Sequence, residues 1–147
     1  MKIGELAAKA ECDVQTVRYY ERCGLLPAPA RTRSNYRAYG PRHLERLQFI
    51  RRCRSLDMAL HEVRVLLAFL EEPQRNCEEV NQLLDEHIRQ VKARLQELAE
   101  LELELKQLRR QCRQSQAATS CGILNQLKTR GAPRIAHGRV QARMTKP

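Results

Sequence analysis

The sequence predicts a mainly all-α protein: a small helical head interrupted by one turn-rich insert, then a single long helix that pairs with a second copy of itself. Three observations predict it. Apolar residues recur at helical spacing through the first 70 of the 147 residues. No Pro or Gly occurs between Asn76 and Thr119, and a seven-residue apolar repeat runs through that stretch. The formal charge of +10 is divided into blocks: residues 1–70 carry 13 basic and 7 acidic side chains, residues 71–114 carry 8 and 10, and residues 115–147 carry 6 and none.

A surplus of this size points to a polyanionic partner, most often nucleic acid. The blocks, at +6, −2 and +6, assign that contact to the head and the tail, not to the slightly acidic middle. Aromatic residues make up 4 % of the chain and Trp is absent, which leaves little from which to build a large aromatic-lined pocket. No Ser/His/Asp set, carboxylate pair or phosphate-cradling Gly loop is visible, so the chain does not read as an enzyme. Apolar runs are only a few residues long, too short to span a membrane. Glu5 and Glu11 interrupt the N-terminal segment, which therefore does not read as a signal peptide. The expected location is the cytoplasm, where six cysteines serve as thiols, ligands or core fillers rather than as a disulfide framework.

In the head, Ile3, Leu6, Ala7 and Ala10 follow the i, i+3, i+4, i+7 pattern of a short amphipathic helix. Glu11-Cys12-Asp13 breaks it, and Asp13 is a good N-cap for the next helix. There Val14 and Val17 are expected to face inward, and Gln15, Thr16, Arg18 and Tyr19 outward. Gly24 ends this second helix. Two short helices joined by about three residues form a helix-turn-helix, whose second helix suits the major groove of DNA. The insert that follows interleaves Arg31, Arg33, Tyr36, Arg37 and Tyr39 around a Ser34-Asn35 turn, so it reads as a wing. Alternating Arg and Tyr suits phosphate contact with packing on the sugar. Gly40-Pro41 starts a third helix, lined on one side by Leu44, Leu47, Ile50 and Leu56, with Arg46, Arg51, Arg52 and Arg54 mostly on the others. A fourth, at about 60–70, carries Val63, Leu66, Leu67 and Leu70.

The long helix shows its seam directly. Leu84, Val91, Leu98, Leu105 and Cys112 are spaced by seven, and Ile88 and Leu95 supply the alternate heptad position. A helix of roughly 35 residues is about 50 Å long. So narrow a stripe needs a partner helix, and the sequence holds no second long one, so the partner is another copy of the chain.

Cys12, Cys23 and Cys53 fall in the head and read as small buried thiols. Cys77, Cys112 and Cys121 frame the long helix instead. The eight-residue loop from Arg113 to Ser120 lets Cys112 and Cys121 close on one ion. Cys77 of the same chain is a helix length away, but in an antiparallel dimer Cys77 of the partner subunit meets the pair, giving two equivalent three-thiolate sites. Three thiolates favour a soft ion such as cadmium, lead or mercury, whereas structural zinc more often takes four ligands. His87 lies on the helix away from its far end, and His137 in the tail reads as solvated. A thiol-redox role for Cys112 and Cys121 is the alternative chemistry.

IGELA at Ile3–Ala7, TVRYYER at Thr16–Arg22, GLLPAPAR at Gly24–Arg31, NYRAY at Asn35–Tyr39 and RLQFIRRCRSLDMAL at Arg46–Leu60 resemble the MerR family of transcription activators. NCEEVNQLLDEHIRQV at Asn76–Val91 and SCGIL at Ser120–Leu124 are similar to its cadmium- and lead-responsive branch. The resemblance covers about residues 1–125. It implies a winged helix-turn-helix DNA-binding domain at 1–70, a dimerisation helix (an antiparallel coiled coil) with a metal-binding loop at 71–128, and a basic tail at 129–147 expected to be disordered. It implies Cd(II) or Pb(II) held by Cys77, Cys112 and Cys121, with Hg(II) or Zn(II) as the alternative. Zinc sensors carry a His in the loop, and residues 113–120 hold none. It further implies that the homodimer binds double-stranded promoter DNA whether or not metal is bound. Metal then deforms the promoter spacer so that RNA polymerase can use it, an instance of indirect readout.

Overall fold

The computed structural model describes residues 1–34 and 36–129. Within them the chain falls into two compact units, the first Met1–Leu83 and the second beginning at Leu84.

The first unit contains α1 (Ile3–Lys9), α2 (Val14–Arg22), the two-stranded antiparallel ribbon β1 (Ala30–Arg31) and β2 (Arg37–Ala38), α3 (Pro41–Ser55) and α4 (Leu60–Glu71). Asp13 caps α2, its Oδ1 accepting the Thr16 amide at 2.7 Å. Gly24 takes φ +73° and ends α2. The Gly24 amide donates to Glu21 O and the Leu25 amide to Tyr20 O, each at 3.0 Å. The same closure ends α1 at Glu11 (φ 55°) and α3 at Asp57 (φ 62°), where no glycine relieves the left-handed backbone. In the ribbon Ala30 pairs with Ala38 and Arg31 with Arg37. This is the wing expected between the second and third helices.

One core closes the unit. Leu6, Val17, Tyr20, Leu25, Leu26, Leu47, Ile50, Val63 and Leu67 are essentially inaccessible to solvent. Val80 and Leu83, in the first turns of α5 (Glu78–Arg109), pack against the same core, so the unit runs past residue 70, where the composition changes. Leu56, expected on the apolar side of α3, is instead its 49 %-exposed C-cap residue, because the chain turns out through Asp57 there. Several arginines expected on the outer faces are half-buried and occupied with main-chain carbonyls. Arg46 Nε donates to Leu25 O at 2.6 Å, and Arg54 donates to Met58 O at 2.8 Å. Arg64 donates to Cys23 O at 2.9 Å from an exposed position on α4, and Arg51 donates to Ala10 O. Each carbonyl lies at or just beyond a helix C-terminus, where acceptors lack helical partners and the dipole favours a cation.

The second unit takes up α5 at Leu84, then a short 3₁₀ turn at Ala118–Ser120 and α6 (Gly122–Thr129). At 32 residues α5 is about 48 Å long. Ion pairs decorate it: exposed Arg89–Glu86 at 2.5 Å and Lys106–Glu102 at 3.2 Å, and half-buried Arg94–Glu97 at 3.0 Å. Such pairs each stabilise a helix by only ~0.2–0.5 kcal/mol. Leu84, Ile88, Val91, Leu95 and Leu105 stand 40–61 % exposed within the chain, and Leu98 is half-buried. α6 was not expected: the region after Cys121 reads as loop and tail, yet Ile123, Leu124 and Leu127 have helical spacing. Apart from Thr129, the tail at 129–147 lies outside the described residues, as do Asn35 and His137.

Candidate functional site

Two sets of residues stand out, one in each unit. In the first, α2 and the wing enclose an open cleft of about 630 Å³, lined by Lys2, Ile3, Arg18, Glu21, Arg22, Tyr36 and Arg37. Five of these seven are basic or aromatic, which suits a phosphate-bearing ligand. Lys2 Nζ lies 5.4 Å from the Tyr36 ring centroid, a cation–π contact that joins the start of α1 to the wing. Glu21, in the last turn of α2, fastens the wing. Its Oε2 meets Arg37 Nη1 at 2.7 Å, and its Oε1 accepts the buried Tyr39 hydroxyl. Burial and the Glu21 hydrogen bond both push the Tyr39 phenol above its ordinary value. The Tyr39 and Glu21 contacts hold Arg37 more firmly charged.

Of the residues expected to meet DNA, Gln15, Arg18, Arg31, Arg33, Tyr36 and Arg37 are exposed and Tyr19 is half-buried. Burial and its hydrogen bond with Cys23 raise the Tyr19 phenol, so it stays protonated as a donor. Thr16 corrects the expected orientation. It is only 7 % exposed, because α2 buries Thr16, Val17 and Tyr20, an i, i+1, i+4 stripe rotated from the Val14/Val17 pair. Lys2, Glu21 and Arg22 were missed. Their signal was present in Glu21, a lone acid on an otherwise basic face of α2, whose partners lie 16 and 18 residues away.

In the second unit the first turn of α6 packs on Gln111, where a Cβ on residue 122 would stand 2.3 Å from Gln111 O, and this brings the flanking Cys112 and Cys121 close together. Cys121 immediately precedes α6, beside the first-turn amides that lack partners within the helix. These amides, the Leu124 amide most strongly, with the Cys112 side chain, hold the Cys121 thiol below its ordinary pKa, the direction a metal ligand needs. Cys112 also donates to Gln114 O at 3.3 Å. Cys77 is exposed just ahead of α5. Among the described residues of one chain, no three His, Cys, Asp or Glu side chains gather to hold an ion. The head thiols divide: Cys53 is buried, while Cys12 and Cys23 are half-exposed rather than the buried fillers expected. Burial raises both Cys12 and Cys53. Among the described residues no helix is long and apolar enough to cross a membrane.

The profile of the "MerR HTH family regulatory protein" matches residues 1–70, and that of "MerR, DNA binding" matches residues 44–108. The "HTH-type transcriptional regulator ZntR homolog" of Haemophilus influenzae is 48 % identical over 109 residues, 74 % of this chain and 81 % of its own. The mercuric resistance operon regulatory protein of Bacillus cereus is 32 % identical over 126 residues, 86 % of this chain and 96 % of its own. Among solved structures, the transcription regulator PbrR691 from Ralstonia metallidurans in complex with lead(II) superposes with a TM-score of 0.79. It is 54 % identical, over 86 % of this chain and 98 % of that one.

Proposed function

We propose that this chain, which belongs to the MerR family of helix-turn-helix regulatory proteins, is a homodimeric regulator that binds promoter DNA through its head and activates transcription on binding Cd(II) or Pb(II). The observation that carries the reading is the packing of Gly122 on Gln111, which sets Cys112 and Cys121 beside each other beyond the end of α5. Two soft donors stand together, one made more acidic by helix amides, and a third, Cys77 of the partner subunit, completes a three-thiolate set. Such a set suits soft divalent ions. The relative solved with lead(II) is more similar to this chain than the mercuric regulator is, at 54 % against 32 % identity. That supports lead or cadmium ahead of mercury, and the loop from Arg113 to Ser120 lacks the His expected for zinc.

The chain's own parts supply the rest. The exposed stripe Leu84, Ile88, Val91, Leu95 and Leu105 supports pairing with a second copy. Arg18 and Tyr19 on α2 face the groove and backbone, and Arg31, Arg33, Tyr36 and Arg37 grip phosphates from the wing. When bound, the ion ties the thiolates into one rigid unit. The Cys112–Cys121 segment is the bistable element whose ordering biases how the two heads hold the promoter for RNA polymerase.

The test substitutes Cys77→Ser, Cys112→Ser and Cys121→Ser singly and follows a promoter reporter with each metal. Each variant is expected to lose induction and keep operator affinity; loss of operator binding in all three would overturn the sensor reading. The meeting of Cys112 and Cys121 also favours a second reading, oxidation to a disulfide. There two thiols give two electrons and two protons to a peroxide, whose O–O bond breaks to leave two waters, or one water and one alcohol from an organic hydroperoxide. A mass-mapped Cys112–Cys121 bridge in protein that binds no soft metal would establish it.

A further inference from the structure

We propose that Gly122 is a positioning residue for the thiolate pair: its missing side chain lets the first turn of α6 close onto the Gln111 carbonyl, and this contact sets the separation of Cys112 and Cys121. The inference rests on the metal-sensing reading above. A Cβ on residue 122 would stand 2.3 Å from Gln111 O, 3.1 Å from its carbonyl carbon and 3.2 Å from its Cβ. The two nearest obstructing atoms are backbone, and the peptide that carries them is tied through the Cys112 amide to Arg109 O at 3.4 Å. The obstruction therefore cannot rotate aside, and α6 must retreat instead.

The other glycines among the described residues lack this crowding. Gly4 and Gly40 have nothing within 4 Å of an added Cβ, and Gly24 has only the Arg64 guanidinium at 3.7 Å. Helix propensity gives no reason for Gly122 either, since Gly is a poor helix former and the first helical position favours Pro. The contact is one residue from each sulfur, because Gln111 precedes Cys112 and Gly122 follows Cys121. A retreat of on the order of 1 Å therefore falls almost wholly on the sulfur–sulfur separation. Metal sites hold their ligand distances to within about 0.2 Å.

The experiment uses the full chain, wild type and Gly122→Ala, with Gly4→Ala as the control for a generic glycine replacement. Each is titrated with Cd(II) alone and Pb(II) alone, read by thiolate-to-metal absorption and by the 113Cd resonance. Operator binding without metal checks that the head is folded. Gly122→Ala is expected to bind both ions at least about tenfold more weakly, with a shifted 113Cd resonance. Metal-free operator binding should stay within about twofold, and Gly4→Ala should match wild type in metal affinity. A second measurement needs no metal ion. In chains that keep only Cys112 and Cys121, a trivalent organic arsenoxide bridges neighbouring thiols, forming two As–S bonds and releasing water. Bridging should be at least about tenfold slower in Gly122→Ala. Unchanged metal affinity and resonance, or unchanged bridging, would overturn the inference alone. Wild-type protein that takes up neither ion would overturn the sensor reading and this inference with it.

Discussion

In the head Leu6, Val17, Leu47 and Ile50 are sealed inside one chain, whereas along α5 Leu84, Ile88, Val91 and Leu95 stand 40–61 % exposed. Both regions carry apolar side chains at regular helical spacing. The head folds its helices back on one another and covers its own stripes. α5 continues for 32 residues, and its exposed stripe remains uncovered within the chain. Periodicity identifies an apolar face; whether a face is covered within the chain depends on whether the chain can turn. Asp13, Gly24 and Pro41 make turns possible in the head, and the stretch from Asn76 to Thr119 contains neither Pro nor Gly.

Breaking the seam should give the largest effect on association. Leu95→Glu places an uncompensated charge in the proposed dimer interface from both copies. It should weaken self-association on the order of 100-fold or more, at a cost of about 3 kcal/mol, while leaving the head's circular dichroism and core intact. Sedimentation equilibrium would check it, and an unchanged association constant would remove α5 from the interface. Within the head, Leu47→Ala should cost about 2–5 kcal/mol by emptying a sealed site. Denaturant melts should show that loss at every protein concentration, in contrast to the seam variant. Third in size is Glu21→Gln, which unfastens the wing from α2. Operator affinity should fall about tenfold and the Tyr39 phenol should titrate closer to its ordinary value, since the Glu21 hydrogen bond raises it.

Asp13 gives a smaller, pH-dependent effect. The Thr16 amide holds its carboxyl below the usual value. Its contribution is therefore present above the unfolded pKa of about 3.9 and lost as pH falls through the lower folded value. Asp13→Asn keeps the cap and should flatten that part of the stability profile in acid melts. The smallest change is a gain: Glu11→Gly relieves the left-handed backbone at φ 55° and should stabilise the head by about 1 kcal/mol. A loss of stability instead would mean that the Glu11 side chain supplies more than the strain costs.

What the sequence made legible is what depends on neighbours along the chain. The helix-turn-helix, the Asp13 cap, the Gly24 stop, the wing and the long helix all follow from spacings of a few residues. Three features escaped for the opposite reason. The arginine–carbonyl ties span 21 residues for Arg46 and 41 for Arg51 and Arg64, so no local pattern encodes them. Thr16 turned inward because the stripe of α2 is fixed by what it packs on, not by its most apolar pair. α6 escaped because it is only eight residues long and begins with a glycine, whose use lies in the backbone approach to Gln111 rather than in helix formation.

The arginine–carbonyl ties carry a consequence for ionic strength. A head that neutralised one phosphate with each of its 13 basic side chains would release counterions with a logarithmic salt slope near −12. Arg46, Arg51, Arg54 and Arg64 already donate to main-chain carbonyls. The counterions released per head therefore come from at most the other nine basic side chains, and the slope per head should be correspondingly shallower. Much of the positive charge in this domain serves as internal mortar, and operator binding should tolerate salt better than the formal charge suggests.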